Sequence, residues 1–440
     1  NNEKMGGLPN AVRALVWLLL PDTRPELSPD PWLVLEKSSA TGASAGIRAS
    51  LAVEAVAAET FGRRDVLADV IRRFAEAEGT IEVWDEYRLV DTIAGHVIRF
   101  SSDKYWTAEY GYRTPQAFFG KMSAQTVKMC VFDVIGANGD MFNMVKDYAL
   151  EMKSHGVDFD LKPYTDEGVA VGDFNAGQCD AVAATDLRTR PFNRFTGSVS
   201  AVGALPTYDD LETLLATLAQ TKAAPLMKQD GYEVIGIVPI GAGYLFVNDR
   251  SIDTAGELAG KRMATLDYQK DAIHMVNFVK ATVVPSDITN FAGKFNNGSV
   301  DTAYAPAFAY EALELYKGLG DKGGIVNYPL AQLTVQVIVR DDVLGDDTAQ
   351  AARQVAWGMY PQAMNLINKQ EEAIPEDKWI RIPEKDIQGY QEMFRQNRIE
   401  MRDGLKGAPD VYHPKMLGLL SKIRCASNPS ASECTSENRE

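Results

Sequence analysis

The residues best suited to chemistry are three arginines that follow an apolar segment, Cys179–Thr185. Arg188, Arg190 and Arg194 fall within seven residues, a local reversal of charge in an acidic chain. Guanidinium groups pair with carboxylates and phosphates through parallel hydrogen bonds, so this spacing favours an anion-binding loop. The alternative is a solvated loop, or structural ion pairs with nearby acids. On the first interpretation we expect Arg188 or Arg190 to contact a ligand.

Other polar side chains follow further segments that have the composition of strands. Tyrosine offers a hydroxyl group and a stacking face, while Asn, Thr and Asp offer short hydrogen-bonding groups. Together with the arginines they could surround a small polar or anionic ligand. The predicted ligand-binding residues are Asn138, Thr165, Asp166, Arg188, Arg190, Asp267, Tyr268, Tyr304 and Tyr310.

These residues do not form a catalytic set. An enzyme needs a convergent base, acid or nucleophile, and the sequence contains no Ser-His-Asp order, metal-ligand spacing or phosphate loop. His274, in a helical segment beside Met275 and Val276, is better explained as a packed or surface residue. With four histidines in the chain, a metal centre is not expected. We therefore predict a binding protein without catalytic residues, metal or cofactor; a sensor or an enzyme on the same fold is the alternative.

The segments that carry these residues alternate between strand and helix patterns. Val127–Ile135, Val157–Tyr164 and Cys179–Thr185 are predicted strands, and helices are predicted to begin near Asp140 and Thr165. This alternation predicts a parallel sheet covered by helices on both faces. Ligands of such sheets bind beyond the carboxyl ends of the strands, where the polar side chains above are found.

A second set of strands and helices follows, which predicts a second lobe. Lys261–Leu266 and Val300–Ala305 are predicted strands, while Tyr232–Pro239, Gly243–Val247 and Leu333–Arg340 are candidates for strands that join the lobes. The fold class is therefore α/β, with two lobes, crossing strands and C-terminal helices. The predicted boundaries are 126–245 with 330–434 for the first lobe and 246–329 for the second.

Length and composition limit the classes of function. A chain of 440 residues suggests two or three domains. Its net charge of −15 argues against a nucleic-acid partner. No apolar run reaches the roughly 18–20 residues of a membrane span, so no direct span is expected. The longest, Ala14–Leu20, fits either a buried helix or the core of a signal peptide; we favour the helix and expect any secretion signal to have been removed.

The four cysteines form two plausible pairs. Cys130 and Cys179 each begin a predicted strand, so they lie at one level if those strands are neighbours. Cys425 and Cys434 flank a short polar segment that a bridge would close. Two disulfides favour an oxidising compartment, whereas four unrelated thiols are the alternative.

Residues 1–122 differ in sequence composition from the residues that follow, and we identify no family that they resemble. Amphipathic helices are predicted near Ile47–Phe61 and Arg64–Ala77, and strands at Thr80–Tyr87 and Thr92–Phe100. The region is therefore predicted to be a small α+β unit, either an additional domain or a fused segment.

Two motifs in the second lobe are similar to TRAP-type periplasmic solute-binding proteins. Ser251–Arg262 contains a leading helix and Leu-x-Gly-Lys before a strand, and Phe295–Asp301 contains Gly-x-Val-Asp before another. The stretch Cys130–Gly197 also resembles an uncharacterised group of solute-binding proteins. The resemblance covers roughly residues 126–434. It implies a type II bilobal periplasmic binding fold, a small polar or anionic organic solute, a periplasmic location, and delivery to the permease subunits of a TRAP-type transporter.

The sequence departs from this family pattern at one position. TRAP receptors for organic acids usually carry an arginine in the strand after Leu-x-Gly, and it pairs with the ligand carboxylate. By our count Ala264 stands there. Either Arg188 or Arg190 takes over this role, or the ligand is not a simple carboxylate.

Overall fold

Residues 3–77, 82–110, 125–435 and 440 are described in this computed structural model of the chain. They fall into an N-terminal unit, residues 1–125 with 154–156, and a C-terminal unit, residues 126–153 with 157–440. All of the predicted ligand-binding residues belong to the C-terminal unit.

The described part of the N-terminal unit is helical. Its α-helices are α1 (Leu8–Leu19), α2 (Pro31–Ser44), α3 (Ala49–Thr60), α4 (Arg64–Ala77) and α5 (Arg88–Tyr110). Helices α3 and α4 confirm the two predicted helices; α4 is amphipathic, whereas most residues of α3 are buried. In α4 the side chains of Leu67, Val70, Ile71 and Phe74 recur at helical spacing and are buried in one cluster with residues of α3.

The predicted α+β character of this region is wrong for the described residues, since 3–77 and 82–110 contain no strand. Thr92–Phe100 lies inside α5, where Asp91, Ala94 and Ile98 are buried at intervals of three and four residues. This helical period outweighs the β-branched composition that suggested a strand. Of the predicted strand Thr80–Tyr87, the last three residues form a 3₁₀ turn, and residues 80 and 81 lie outside the described part.

The C-terminal unit is built on one sheet with the order β2-β1-β3-β9-β5-β8-β6-β7. Strand β4 pairs with β5, and β10 pairs with β9. The strands are β1 (Gln125–Phe132), β2 (Val157–Tyr164), β3 (Ala181–Thr185), β4 (Lys228–Gln229), β5 (Tyr232–Val247), β6 (Arg262–Leu266), β7 (Thr282–Ser286), β8 (Thr302–Pro306), β9 (Gly324–Arg340) and β10 (Trp379–Ile380).

Helices cover both faces of this sheet, as predicted. They are α6 (Asp140–Lys153), α7 (Glu167–Asn175), α8 (Asp186–Thr189), α9 (Tyr208–Leu218), α10 (Ala224–Met227), α11 (Lys270–Phe278), α12 (Phe291–Asn296), α13 (Ala309–Ala312), α14 (Tyr316–Leu319), α15 (Asp346–Gly358), α16 (Tyr360–Glu372), α17 (Glu384–Asp403), α18 (Pro414–Ser427) and α19 (Ser432–Thr435).

Two long strands, β5 and β9, run antiparallel through the whole sheet and join its halves. The second half of β9 pairs with β3, which is parallel to β1; we call this half, with its helices, lobe 1. The second half of β5 pairs with β8, β8 pairs with β6, and β6 pairs with β7. We call this half of the sheet, with its helices, lobe 2. The predicted two-lobed α/β architecture with crossing strands is therefore confirmed.

Both predicted disulfides are present. Cys130–Cys179 joins β1 to the segment before β3, with Cα atoms 5.8 Å apart. Cys425–Cys434 joins α18 to α19, with Cα atoms 5.5 Å apart. Cys130 does not begin its strand, as the sequence suggested, but lies in the later part of β1. The first bridge still follows from the parallel pairing of β1 and β3, whose register places Met129 opposite Ala181 and so brings Cys130 near the segment that leads into β3.

Candidate ligand-binding site

The carboxyl ends of four strands meet where the two lobes face each other. Phe132 ends β1 and Thr185 ends β3 in lobe 1, while Leu266 ends β6 and Pro306 ends β8 in lobe 2. All four residues line one small cavity of about 60 Å³, which we call the central pocket. Its place agrees with the rule that open α/β sheets bind ligands beyond their carboxyl strand ends.

A second cavity adjoins the central pocket. It has a volume of about 150 Å³ and lies among β5, β9, α11 and α17; we call it the inner cavity. Leu187, Tyr304 and Leu333 line both spaces, which therefore adjoin at these three side chains. The wall of the inner cavity is almost entirely carbon, from residues such as Met275 and Phe394.

A wider depression lies on the other side of the central pocket. This outer basin has a volume of about 510 Å³ and is bordered by α6, α13 and α16. It shares Val134, Met141, Ile240 and Phe308 with the central pocket. The three spaces therefore follow one another through the interface of the lobes.

Arg188 contacts both lobes. Its guanidinium carbon lies 3.7 Å from the centre of the Tyr268 ring, and its Nε lies 3.9 Å from Glu167 Oε2. The Tyr268 hydroxyl donates to Glu167 Oε2 at 3.2 Å, so a lobe 2 side chain closes over a lobe 1 carboxylate. Arg188 is about one quarter exposed and borders none of the three cavities.

Arg190 is committed to a buried ion pair. Its Nη2 lies 3.0 Å from Asp271 Oδ2 on α11, and its Nε donates to the Gly197 carbonyl at 2.8 Å. The Tyr412 hydroxyl also donates to Asp271 Oδ2, at 3.0 Å. This pair is the second polar contact that joins lobe 1 to lobe 2.

Two buried carboxyl groups lie beside these contacts. Burial raises the pKa of Glu167 above its usual range, although the hydrogen bond from Thr185 N–H and the charge of Arg188 oppose the shift. Burial raises the pKa of Asp186 to about 7, and the hydrogen bonds from Ser200 and the Thr334 N–H compensate only in part. Neither group lines any of the three cavities described above.

The hydroxyl groups of Tyr268 and Tyr304 are both hydrogen-bonded. Tyr304 Oη accepts from the Leu266 N–H at 3.1 Å and donates to Gln269 Oε1 at 2.8 Å. Burial raises the pKa of Tyr268 and of Tyr304 far above neutrality, so both remain protonated donors. Tyr304 lines the central pocket and the inner cavity, and Tyr268 lines the central pocket.

The remaining predicted residues lie away from the three cavities. Asn138, Thr165 and Asp267 are exposed. Asp166 caps α7 by accepting from the N–H groups of Gly168 and Val169. Tyr310 is buried in the core of lobe 2, where its ring contacts that of the exposed Tyr316. Of the nine predicted residues, Tyr268 and Tyr304 therefore line a cavity, while Arg188 and Arg190 join the lobes beside it.

Sequence reasoning missed the apolar lining. Leu187 and Leu333 line both the central pocket and the inner cavity, yet a leucine in a cavity wall has the same sequence signal as one in a core. Asp271 could have been found, because it begins a helix after a predicted strand. Tyr412 could not, because it is more than a hundred residues from its partner Asp271.

Within the described residues, no group of three or more His, Cys, Asp or Glu side chains could hold a metal ion. None of the described helices is both long and apolar enough to cross a membrane.

Comparison with known proteins identifies the family to which this fold belongs. The model of the family "Solute-binding protein AdeT 1/2" matches residues 152–439. The chain is 40% identical over 304 residues to the probable solute-binding protein AdeT1 of Acinetobacter baumannii, which covers 69% of this chain and 98% of that protein. The chain belongs to the AdeT 1/2 family of solute-binding proteins. A second AdeT relative, AdeT2 of the same organism, is 24% identical over 243 residues and covers 54% of this chain and 98% of that protein.

The fold of this AdeT 1/2 family member is shared with TRAP periplasmic solute-binding proteins of known structure. One from Rhodoferax ferrireducens, with bound malonate, has a TM-score of 0.55 and 12% identity, and covers 68% of this chain and 99% of its own. Another from Desulfovibrio salexigens, with bound orotic acid, has a TM-score of 0.53 and 12% identity, and covers 69% and 99%. At these identities the likeness concerns the fold, and it confirms the predicted type II bilobal architecture.

Proposed function

We propose that this protein is an extracytoplasmic receptor that captures a small organic solute between its lobes and delivers it to a TRAP-type membrane permease. Its family membership supports solute binding, and the fold it shares with TRAP receptors supports the choice of transporter. The two disulfides support a periplasmic location, because such bridges persist in oxidising compartments.

The observation that carries this proposal is the central pocket, where four strand ends from two lobes meet. Two sets of polar contacts close the lobes beside it, Arg188 and Glu167 with Tyr268, and Arg190 with Asp271. A solute that fills the space between the lobes adds contacts that exist only in the closed form, and so shifts the population towards closure. A permease can then distinguish the loaded receptor from the empty one. The lobe limits 126–245 with 330–434 and 246–329 remain part of the proposal.

Binding without turnover is the second part of the proposal. The family and the structural neighbours are solute-binding proteins. Of the buried carboxyl groups beside the cleft, Glu167 and Asp186 line none of the three cavities, and Asp271, which lines the inner cavity, is paired with Arg190. A receptor releases its solute chemically unchanged, so mass spectrometry before and after incubation separates receptor from enzyme.

Closure can be measured with spin labels at Asn175 in lobe 1 and Lys317 in lobe 2, both exposed. We expect the distance distribution to shorten and narrow when the solute is added. A pair within lobe 1, at Asn175 and Lys222, is the matched control and should not change. If the protein binds the solute and the distribution of the interlobe distance does not change, the proposed mechanism is contradicted.

A further inference from the structure

The described residues that line the central pocket and the inner cavity include no lysine or arginine, and the two carboxylates among them, Asp253 and Asp271, border the inner cavity. The central pocket is lined by apolar side chains such as Phe132, Phe291 and Leu313, and Ala264 lies in the same wall. Ala264 occupies the position at which the resemblance leads one to expect an arginine, so a methyl group faces the ligand there. A buried carboxylate without a cationic partner keeps its full desolvation cost.

The two arginines near the cleft cannot easily replace that missing cation. Arg190 is neutralised by Asp271, and its Nε is occupied by a backbone carbonyl. Arg188 stacks on Tyr268 beside Glu167 and borders neither the central pocket nor the inner cavity. Releasing either arginine towards a ligand would leave Asp271 or Glu167 buried without its cationic neighbour.

The outer basin also disfavours anions. Its border carries Asp133, Asp140 and Glu311 against one ammonium group, that of Lys369. This excess of negative charge lies at the wide side of the cleft, and it lowers the local concentration of anionic solutes.

The size of the inner cavity indicates the size of the ligand's apolar part. Its volume of about 150 Å³ equals that of an engineered apolar cavity in another protein, which binds benzene. Thr185 supplies a polar group in the adjoining central pocket. The Thr185 hydroxyl lies close enough to Glu167 to help lower its pKa, yet Oγ1 is buried and lacks a well-formed hydrogen bond within the described part of the chain. Thr185 lines the central pocket.

We propose that the solute is an uncharged molecule with an apolar body the size of a six-membered ring and one hydrogen-bonding group. The ring occupies the inner cavity, and the polar group is received in the adjoining central pocket, where Thr185 Oγ1 is available. This inference rests on the proposed receptor function and narrows its solute class from polar or anionic to uncharged.

Three probes with one ring and different charges test the proposal on the full chain: benzyl alcohol, benzoate and benzylamine, measured by calorimetry at neutral pH. We expect benzyl alcohol to bind at least about tenfold more tightly than benzoate, because neither cavity offers it a cation, and than benzylamine, because the Asp271 carboxylate of the inner cavity is already paired with Arg190 and that of Asp253 is exposed to solvent. Tighter binding of benzoate would overturn the uncharged class in favour of an anion, and tighter binding of benzylamine would overturn it in favour of a cation. Absence of binding by all three would overturn the ring-sized class.

Two matched variants locate the site. Ala331→Leu places three more carbon atoms in the inner cavity, whereas Ala216→Leu adds the same atoms to a half-buried position on α9 that borders none of the cavities. We expect the first variant to lose benzyl alcohol binding and the second to retain it. Thermal melting of the empty proteins shows whether both remain folded. Equal affinity in the two folded variants would overturn the placement in the inner cavity.

Thr185→Val tests the polar contact with a side chain of the same shape. We expect this substitution to weaken the binding of benzyl alcohol about fivefold or more and to leave the binding of toluene unchanged. An equal loss for both would contradict the hydrogen bond. Failure of this inference is distinguishable from failure of the receptor function, because a charged solute that shortens the Asn175–Lys317 distance would overturn only the inference.

Discussion

At the scale of single residues, the charged side chains beside the cleft mainly join lobe 1 to lobe 2. The sequence singled out Arg188 and Arg190 because their spacing suits an anion, and it also left structural ion pairs open. The structure places Arg190 against Asp271 and stacks Arg188 on Tyr268. Sequence could identify these arginines but not their partners, because a partner on another lobe leaves no local signal. Their contact with a ligand remains a prediction.

Arg190→Ala is expected to lower the free energy of unfolding by about 3–5 kcal/mol, because it leaves the buried Asp271 carboxylate without a cation. Urea denaturation of the empty protein measures this loss. The double variant Arg190→Met with Asp271→Leu should recover most of it, since no buried charge remains unpaired. Loss of solute affinity with unchanged stability would instead support direct ligand contact by Arg190.

Asp186 makes stability depend on pH. Its pKa of about 7 in the folded protein lies above the value of an unfolded aspartate, so the folded state binds more protons between those two values. The contribution of Asp186 to stability is therefore present in full below about pH 4 and is lost as pH rises through about 7. Asp186→Asn should remove this dependence, which urea denaturation at pH 5 and pH 8 measures. The same fall in stability in the variant and the parent would assign the dependence to other groups.

At the scale of elements, hydrophobic periodicity and strand–helix alternation predicted lobe 1 well. The predicted strand Val157–Tyr164 coincides with β2, and Cys179–Thr185 differs from β3 by two residues. Prediction failed at Thr92–Phe100, where β-branched side chains concealed the three-to-four residue burial period of α5. The cavities could not be predicted, because their apolar walls have the sequence pattern of a core.

The two disulfides should contribute unequally to stability. Cys130–Cys179 closes a separation of 49 residues and Cys425–Cys434 one of 9 residues, which loop entropy converts to about 4 and about 2.5 kcal/mol. Replacing each pair with alanine and comparing urea midpoints measures the difference. Labelling of free thiols in the unfolded, unreduced parent should give no signal. Four labelled cysteines would contradict both bridges and the periplasmic location.

At the scale of the whole molecule, every residue of the candidate site belongs to the C-terminal unit. The residues that resemble the TRAP family, and residues 152–439 that match the family model, also lie almost entirely in that unit. The described helices of the N-terminal unit have their own buried cluster, and the residues that line the three cavities all belong to the C-terminal unit. Neither its composition nor its helices indicate a function.

Residues 1–122 are therefore predicted to be dispensable for solute binding. A chain that begins near Ser123 should fold with both disulfides and bind the solute with unchanged affinity, as measured by calorimetry. Circular dichroism and thermal melting verify that the shortened chain is folded. Loss of binding by a folded chain of this kind would place part of the site in the N-terminal unit.

The central claim is that a small solute binds, unchanged, between the two lobes. Equilibrium dialysis of the full chain against a bacterial metabolite extract, followed by mass spectrometry, tests it most directly when the parent is compared with Leu187→Trp. Leu187 lines both the central pocket and the inner cavity, so the larger indole side chain of a tryptophan at this position should fill space in both. We expect the parent to enrich one or a few uncharged solutes, which are recovered chemically unchanged, and the folded variant not to enrich them. Equal enrichment by both proteins, no enrichment by the parent, or recovery of a converted product would contradict it.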